Sequence, residues 1–236
     1  RVLALQEEYL RTIDAVIAFL QGRNRTLAYS ICEEKFLPRA GRFMQEEDTE
    51  WAFGVMGLED KARYLSTLYL EDLSDFLQET VDEHFGFSRY AEHLGRSASS
   101  FDELDAELAK PSTFTDRYLV KLLAAKMEMY HPDMVAITVP FPGNLYSALR
   151  CGEWLKANYP DVTVVMGGGF ANTELRSLAD VRFFRFTDYL LLDDGEIPLL
   201  HLIQHVNGER DDTGLVRTFG VREEKVVFLN DDTVGI

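Results

Sequence analysis

Two hydrophobic periodicities divide the chain. Up to about residue 130, apolar residues recur at three- and four-residue steps. Leu5, Tyr9, Ile13, Val16, Ile17 and Leu20 share one face of a helix that Gly22 can end. Leu65, Leu68, Tyr69, Leu73, Phe76 and Leu77 repeat the pattern in a second helix within Ala62 to Phe85. A less regular stretch bearing Gly and aromatic residues, Leu27 to Gly57, lies between them. Ser100 and Glu103 have capping-box spacing ahead of a short helix that Pro111 closes, and Phe114 to Tyr130 makes another amphipathic helix.

From His131 the pattern changes to short apolar runs separated by helix-sized segments. Met134 to Val139, Val162 to Met166 and Tyr189 to Leu192 lack polar alternation, which marks strands buried on both faces. The helix between the first two carries Leu145, Ala148, Leu149, Gly152 and Leu155 on one side, and Tyr159-Pro160-Asp161 ends it. Asn172 or Thr173 is placed to cap a short helix through Leu178, and Pro198 sits near the start of a last helix, Ile197 to Val206. Such a β-α-β-α-β-α series predicts right-handed crossovers and a parallel α/β sheet with helices on both faces, preceded by a mainly helical region. Leu215 to Val221 and Lys225 to Leu229, about Glu223-Glu224, read as a hairpin or linker. The expected divisions are 1–130, 131–209 and 210–236.

Composition narrows the function classes. With 46% apolar residues the chain can supply a core, so it folds. A formal charge of -16 argues against binding nucleic acid or an anionic membrane surface, both of which need clustered Lys and Arg. The longest apolar runs are strand-sized, far below the ~20 residues of a membrane span. With no signal peptide at its start, the chain reads as cytoplasmic. Cys32 and Cys151 stand alone, without zinc, cluster or disulfide spacing.

Candidate chemistry lies in the three loops after the strands, because parallel sheets bind ligands outside the carboxyl ends of their strands. Pro140, Phe141, Pro142, Gly143 and Asn144 form a stiff segment with an aromatic held between two prolines. It suits the rim of a flat apolar macrocycle, and equally a hydrophobic lid on the core. Gly167, Gly168, Gly169 and Phe170 let backbone approach a polar or phosphate-bearing tail, or simply make a tight crossover. They lack the third glycine of a dinucleotide fingerprint. Asp194, Gly195 and Glu196 open the last helix, where Asp194 and Glu196 can cap it or accept hydrogen bonds from ligand hydroxyl or amide groups. The neighbouring Asp193 and Asp194 are poorly disposed to chelate one ion, because adjacent side chains at a strand end diverge. His201 and His205 share a helix face without a third ligand nearby, and His131 lies at the amino end of its strand.

The three blocks Pro132 to Pro142, Val164 to Phe170 and Asp188 to Pro198, in this order and spacing, resemble the cobalamin-binding domain of cobalamin-dependent radical S-adenosylmethionine enzymes. The likeness covers roughly Met129 to Val206. It implies a Rossmann-like (flavodoxin-like) fold. It places a corrinoid against Pro140 to Asn144, its nucleotide tail against Gly167 to Phe170, and Asp194 to Glu196 at the far side. It also implies methyl transfer or rearrangement in an intact enzyme whose radical domain holds an iron-sulfur cluster and S-adenosylmethionine.

The chain departs from the family pattern in three ways. It has no Cys-x-x-x-Cys-x-x-Cys triad, so the cluster would belong to a radical domain elsewhere in the polypeptide. It has no Asp-x-His-x-x-Gly, so cobalamin would bind base-off without a histidine of this chain on cobalt. It begins in a helix rather than in a strand, and the expectation is a fragment that binds but does not catalyse alone. Two other classes are weighed beside this reading: a protein-interaction or sensor module, and a nucleotide-binding domain using the glycine loop.

Overall fold

A computed structural model describes residues 2–45, 57–87, 90–96 and 101–230. Two compact units emerge, Arg1–Glu83 and His84–Ile236. No helix among the described residues is long and apolar enough to cross a membrane.

The first unit is built on helices α1 (Gln6–Leu20), α2 (Leu27–Cys32) and α3 (Leu58–Thr80). Tyr9, Val16, Phe19, Ile31, Leu65 and Tyr69 form its core, with the Tyr9 and Tyr69 rings 4.7 Å apart. Ile17, placed on the packed face by its spacing, is instead exposed, since the buried arc of α1 runs through Tyr9, Thr12, Val16 and Phe19. Buried Asp72 accepts hydrogen bonds from the Ala40 and Arg42 amides and so anchors the loop between α2 and α3.

The second unit opens with α4 (Glu92–Arg96), α5 (Asp102–Leu108) and α6 (Phe114–Tyr130). The helices from 84 to 130, which hydrophobic periodicity groups with the amino-terminal half, thus cluster with the sheet. Ser100, expected to cap α5, lies outside the described residues. The capping box belongs instead to α6, where the Thr113 hydroxyl accepts from the Asp116 amide and the Asp116 carboxylate accepts from the Thr113 amide. His131, in the left-handed region, ends α6 and turns the chain into the sheet.

Strands β1 (Met134–Thr138), β2 (Thr163–Gly167) and β3 (Tyr189–Leu191) pair in parallel. Helices α7 (Pro142–Asn158) and α8 (Gly169–Glu174) and a 3-10 turn at Val181–Arg185 fill the crossovers. Helix α9 (Glu196–Val206) follows β3, and β4 (Thr218–Arg222) and β5 (Lys225–Leu229) complete the sheet in the order β1-β2-β3-β4-β5. The sheet is therefore mixed rather than wholly parallel, because β4 runs antiparallel to β3 and β5 to β4. The tail expected as a hairpin or linker is a hairpin and part of this sheet. Its direction follows from the segment 207–217, which returns to the carboxyl edge before β4 starts. His201 and His205 hold that segment by hydrogen bonds from Nδ1 to the Gly214 and Arg210 carbonyls.

Consecutive parallel neighbours joined by right-handed crossovers place their connections on one face. On that face Met166, Leu190 and Phe219 pack with Leu149, Phe183 and Phe186, and Val164 packs with Leu155 of α7 and Met127 of α6. Among the described residues the opposite face packs with α9 and the return segment, through Val165, Leu191, Leu202 and Leu215. Among the described residues that second face is open in front of β1, and Ala136 and Thr138 are exposed there.

Candidate functional site

The open second face leads to the carboxyl edge, where a cleft of about 350 Å³ lies between β1 and the start of α9. Its floor is Ala136, Val165, Leu191 and Leu199. Thr138, Gly167 and Gly168 form one rim, and Asp193, Asp194, Gly195 and Glu196 the other. Small residues on β1 and β2 leave the space, since a larger side chain at Ala136 would fill it. No Lys or Arg is among the described residues lining the cleft.

The glycine loop has a conformational reason at one position. Gly168 adopts φ +106° and ψ -173°, a region essentially confined to glycine. A Cβ there would come within 2.9 Å of the Val139 carbonyl oxygen. The same closeness lets the Phe170 amide donate to the Val139 carbonyl at 3.0 Å, tying the first loop to the second. Backbone crowding therefore accounts for glycine at 168, while Gly167 and Gly168 also present backbone to the cleft. Helix α8 opens directly at Gly169, earlier than capping by Asn172 or Thr173 predicts, and it ends at Glu174 rather than Leu178. Phe170 is 2% exposed and packs in the core, so it presents no surface to a ligand.

The first loop is shorter than its composition suggests. Pro142 occupies the first turn of α7, a position that tolerates its missing N–H, so Pro142, Gly143 and Asn144 are helical. Pro140 and Phe141 alone remain as loop. Phe141 is 70% exposed, which excludes a lid on the core and leaves an aromatic beside the glycine loop. Gly95 of α4 packs on this turn so closely that a Cβ would lie 2.4 Å from the Pro142 carbonyl oxygen, so α4 braces the helix start.

The third loop is pinned by Asn172, whose spacing predicts only a cap. The Asn172 side chain donates to the Asp193 carbonyl at 3.0 Å and accepts from the Asp193 amide at 2.6 Å, which clamps α8 to the loop after β3. Asp193, at φ +62°, is ion-paired with Arg176, and Arg217 Nε lies 3.9 Å from its carboxylate. The residue capping α9 is Gly195 at φ +84°, with no side-chain hydrogen bond, so Asp194 and Glu196 do not act as side-chain caps. Glu196 instead occupies the first helical turn, favourable for a negative charge beside the helix dipole.

Of the twelve candidate residues, Gly167, Gly168, Asp194, Gly195 and Glu196 thus meet at one cleft. Pro140, Phe141 and Gly169 follow its rim residues in the chain without lining it, and Pro142, Gly143, Asn144 and Phe170 serve local structure. Ala136, Thr138 and Asp193 also line the cleft, and their signal was available: Ala136 and Thr138 alternate as small residues within an otherwise bulky strand. The histidines lie elsewhere. His131 is at the amino end of β1, and His201 and His205 face the return segment. Asp188 is also at the amino edge, where its carboxylate accepts from the Val164 amide and pairs with Lys156. Comparison with protein-family models, curated proteins and solved structures returns no match.

Proposed function

We propose that the unit His84–Ile236 is a Rossmann-like corrinoid-binding domain, the cobalamin-binding part of a cobalamin-dependent radical S-adenosylmethionine protein. The cleft at the carboxyl edge carries this reading. At about 350 Å³ it is at the lower end of small-molecule pockets, the size for a nucleotide tail with the wider macrocycle lying on the edge above. Its apolar floor suits a flat heterocycle. Its acidic rim suits the amide side chains of a corrin, which donate hydrogen bonds that Asp194 and Glu196 accept. Asp194 and Glu196 on the same rim disfavour a nucleoside triphosphate, whose several negative charges would face them.

Bound corrinoid would supply a cobalt centre able to carry a methyl group. The chain's own part is to hold the cofactor. Phe141 offers an aromatic surface beside the macrocycle, Gly167 and Gly168 offer backbone, and Thr138 offers a hydroxyl at the cleft mouth. Cobalt would take no histidine from residues 131–206, since His131, His201 and His205 are committed away from the cleft. Methyl transfer or rearrangement, the iron-sulfur cluster and S-adenosylmethionine belong in this proposal to a radical domain of the intact polypeptide.

Titration with hydroxocobalamin, read by visible absorbance and gel filtration, tests the reading. Co-elution of corrinoid with protein is expected, with no nitrogen hyperfine splitting from a histidine in the cobalt(II) spectrum. Absence of co-elution overturns the reading, and binding of ATP in its place transfers the cleft to a nucleotide.

A further inference from the structure

The cleft needs a cation that its lining does not supply. Asp193, Asp194 and Glu196 make its α9 end negative, and a ligand tail containing a phosphodiester would bring one more negative charge there. Two guanidiniums stand one residue behind that wall, both directed at Asp193. Arg176 reaches it from the end of α8, with Nε bound to the Asn172 carbonyl at 2.7 Å and Nη2 on the Asp193 carboxylate. Arg217 reaches it from the segment before β4, through Nε at 3.9 Å. Among the described residues, Nη1 of Arg176 and both Nη groups of Arg217 have no protein acceptor.

Arg217 is held there at a cost. It adopts φ +47°, disfavoured for a residue with a Cβ by about 1–2 kcal/mol. Its amide is fixed by Asn230 Oδ1 at 3.1 Å and its carbonyl by the Leu192 amide at 2.9 Å. Its neighbour in the ion pair, Asp193, is also left-handed and is clamped by Asn172. Two strained side-chain-bearing residues in mutual contact at a cleft rim are the kind of arrangement that persists where position matters.

Resting on the corrinoid reading above, we propose that Arg176 and Arg217 form the anion subsite of this cleft and bind the phosphodiester of the cofactor's nucleotide tail. Arg176 is exposed and Arg217 stands 3.9 Å from the carboxylate, so sharing each guanidinium between Asp193 and a phosphate oxygen gives up little ion-pair energy. A hydrogen bond to a charged group is worth enough for its loss to be measured.

Two probes separate this from the parent reading: hydroxocobalamin, and cobinamide, which keeps the corrin and lacks the phosphate-bearing nucleotide. Arg217→Asn suits the left-handed position, and Arg176→Gln removes the charge while keeping a polar side chain. Each is expected to weaken hydroxocobalamin about tenfold and to leave cobinamide within twofold of wild type. Arg217→Lys, which keeps a charge, should recover part of the loss. Unchanged hydroxocobalamin affinity, or equal weakening of both corrinoids, overturns the subsite. Failure of the wild-type protein to bind either corrinoid overturns the corrinoid reading itself. Retained cobinamide binding, with an unchanged circular dichroism spectrum, shows that the variants fold.

Discussion

Arg150 and Asp116 form an ion pair at 3.2 Å with side chains 4% and 0% exposed. Charges so buried are tolerated only with full hydrogen bonding. The Tyr146 hydroxyl supplies part of it, donating to Asp116 at 3.0 Å and accepting from Arg150 Nε at 2.9 Å. The guanidinium also donates to the carbonyls of Glu107, Leu108 and Lys110, closing the end of α5. Arg150→Met is expected to destabilise this unit by about 3–5 kcal/mol, because a buried carboxylate and three carbonyls lose their partner. Urea unfolding followed by Trp154 fluorescence, in a Trp51→Phe background, measures it. Adding Asp116→Asn should recover part of the loss. Next along α7, burial pushes the Cys151 thiol up to about 11 from its ordinary 9.0. At pH 8 its thiolate is about a hundredfold scarcer than that of a free thiol, so iodoacetamide should label it correspondingly slowly in a mass-spectrometric time course. The sign for stability follows from the same shift. Between pH 9 and 11 the unfolded thiol ionises while the folded one stays protonated, so stability declines through that window.

The parallel strands are legible to within a residue at each end, because short runs rich in Val, Ile, Met and Leu between helix-sized segments suit the strands of a covered sheet, although the second face of β1 is exposed at Ala136 and Thr138 rather than buried as expected. The direction of β4 is not, since it depends on two histidines binding carbonyls of a segment with no pattern of its own. Nor is Asn172, whose clamp on Asp193 joins positions 21 residues apart that only folding brings together. The turn between β4 and β5 is legible in place but not in conformation. Glu223 and Glu224 both have positive φ, 48° and 60°, the geometry of a two-residue hairpin that prefers Asn-Gly. Glu223→Asn with Glu224→Gly should therefore stabilise the unit by about 1–2 kcal/mol, seen as a higher Tm by circular dichroism. Glycine positions give the opposite sign. Gly168→Ala must lose several kcal/mol or shift the Val139 loop, while Gly195→Ala, which meets open space, pays only about 1–2 kcal/mol of backbone strain. Denaturant midpoints of the two variants rank them. Equal costs would remove the case for crowding between the first two loops.

Each unit owns a hydrophobic core, which is what independent folding requires. The first gathers Val16, Phe19, Ile31, Leu65 and Tyr69, and the second gathers Leu149, Met166, Phe183 and Leu190 about its sheet. Every residue of the cleft, the Asn172 clamp and the two arginines belongs to the second unit. Roughly 150 residues bury enough apolar surface to be stable alone, and the helices from 84 to 130 are needed to reach that size and to brace α7. Residues 84–236 expressed separately should therefore unfold in one cooperative transition, followed by Trp154, and bind hydroxocobalamin within about twofold of the whole chain. A cut at 131 should fail, because it removes the buried Asp116 that faces Arg150 and the α5 carbonyls that Arg150 caps. Folding of 131–236 with undiminished stability would show that the change of pattern at His131, rather than the contact boundary at His84, marks the true domain edge.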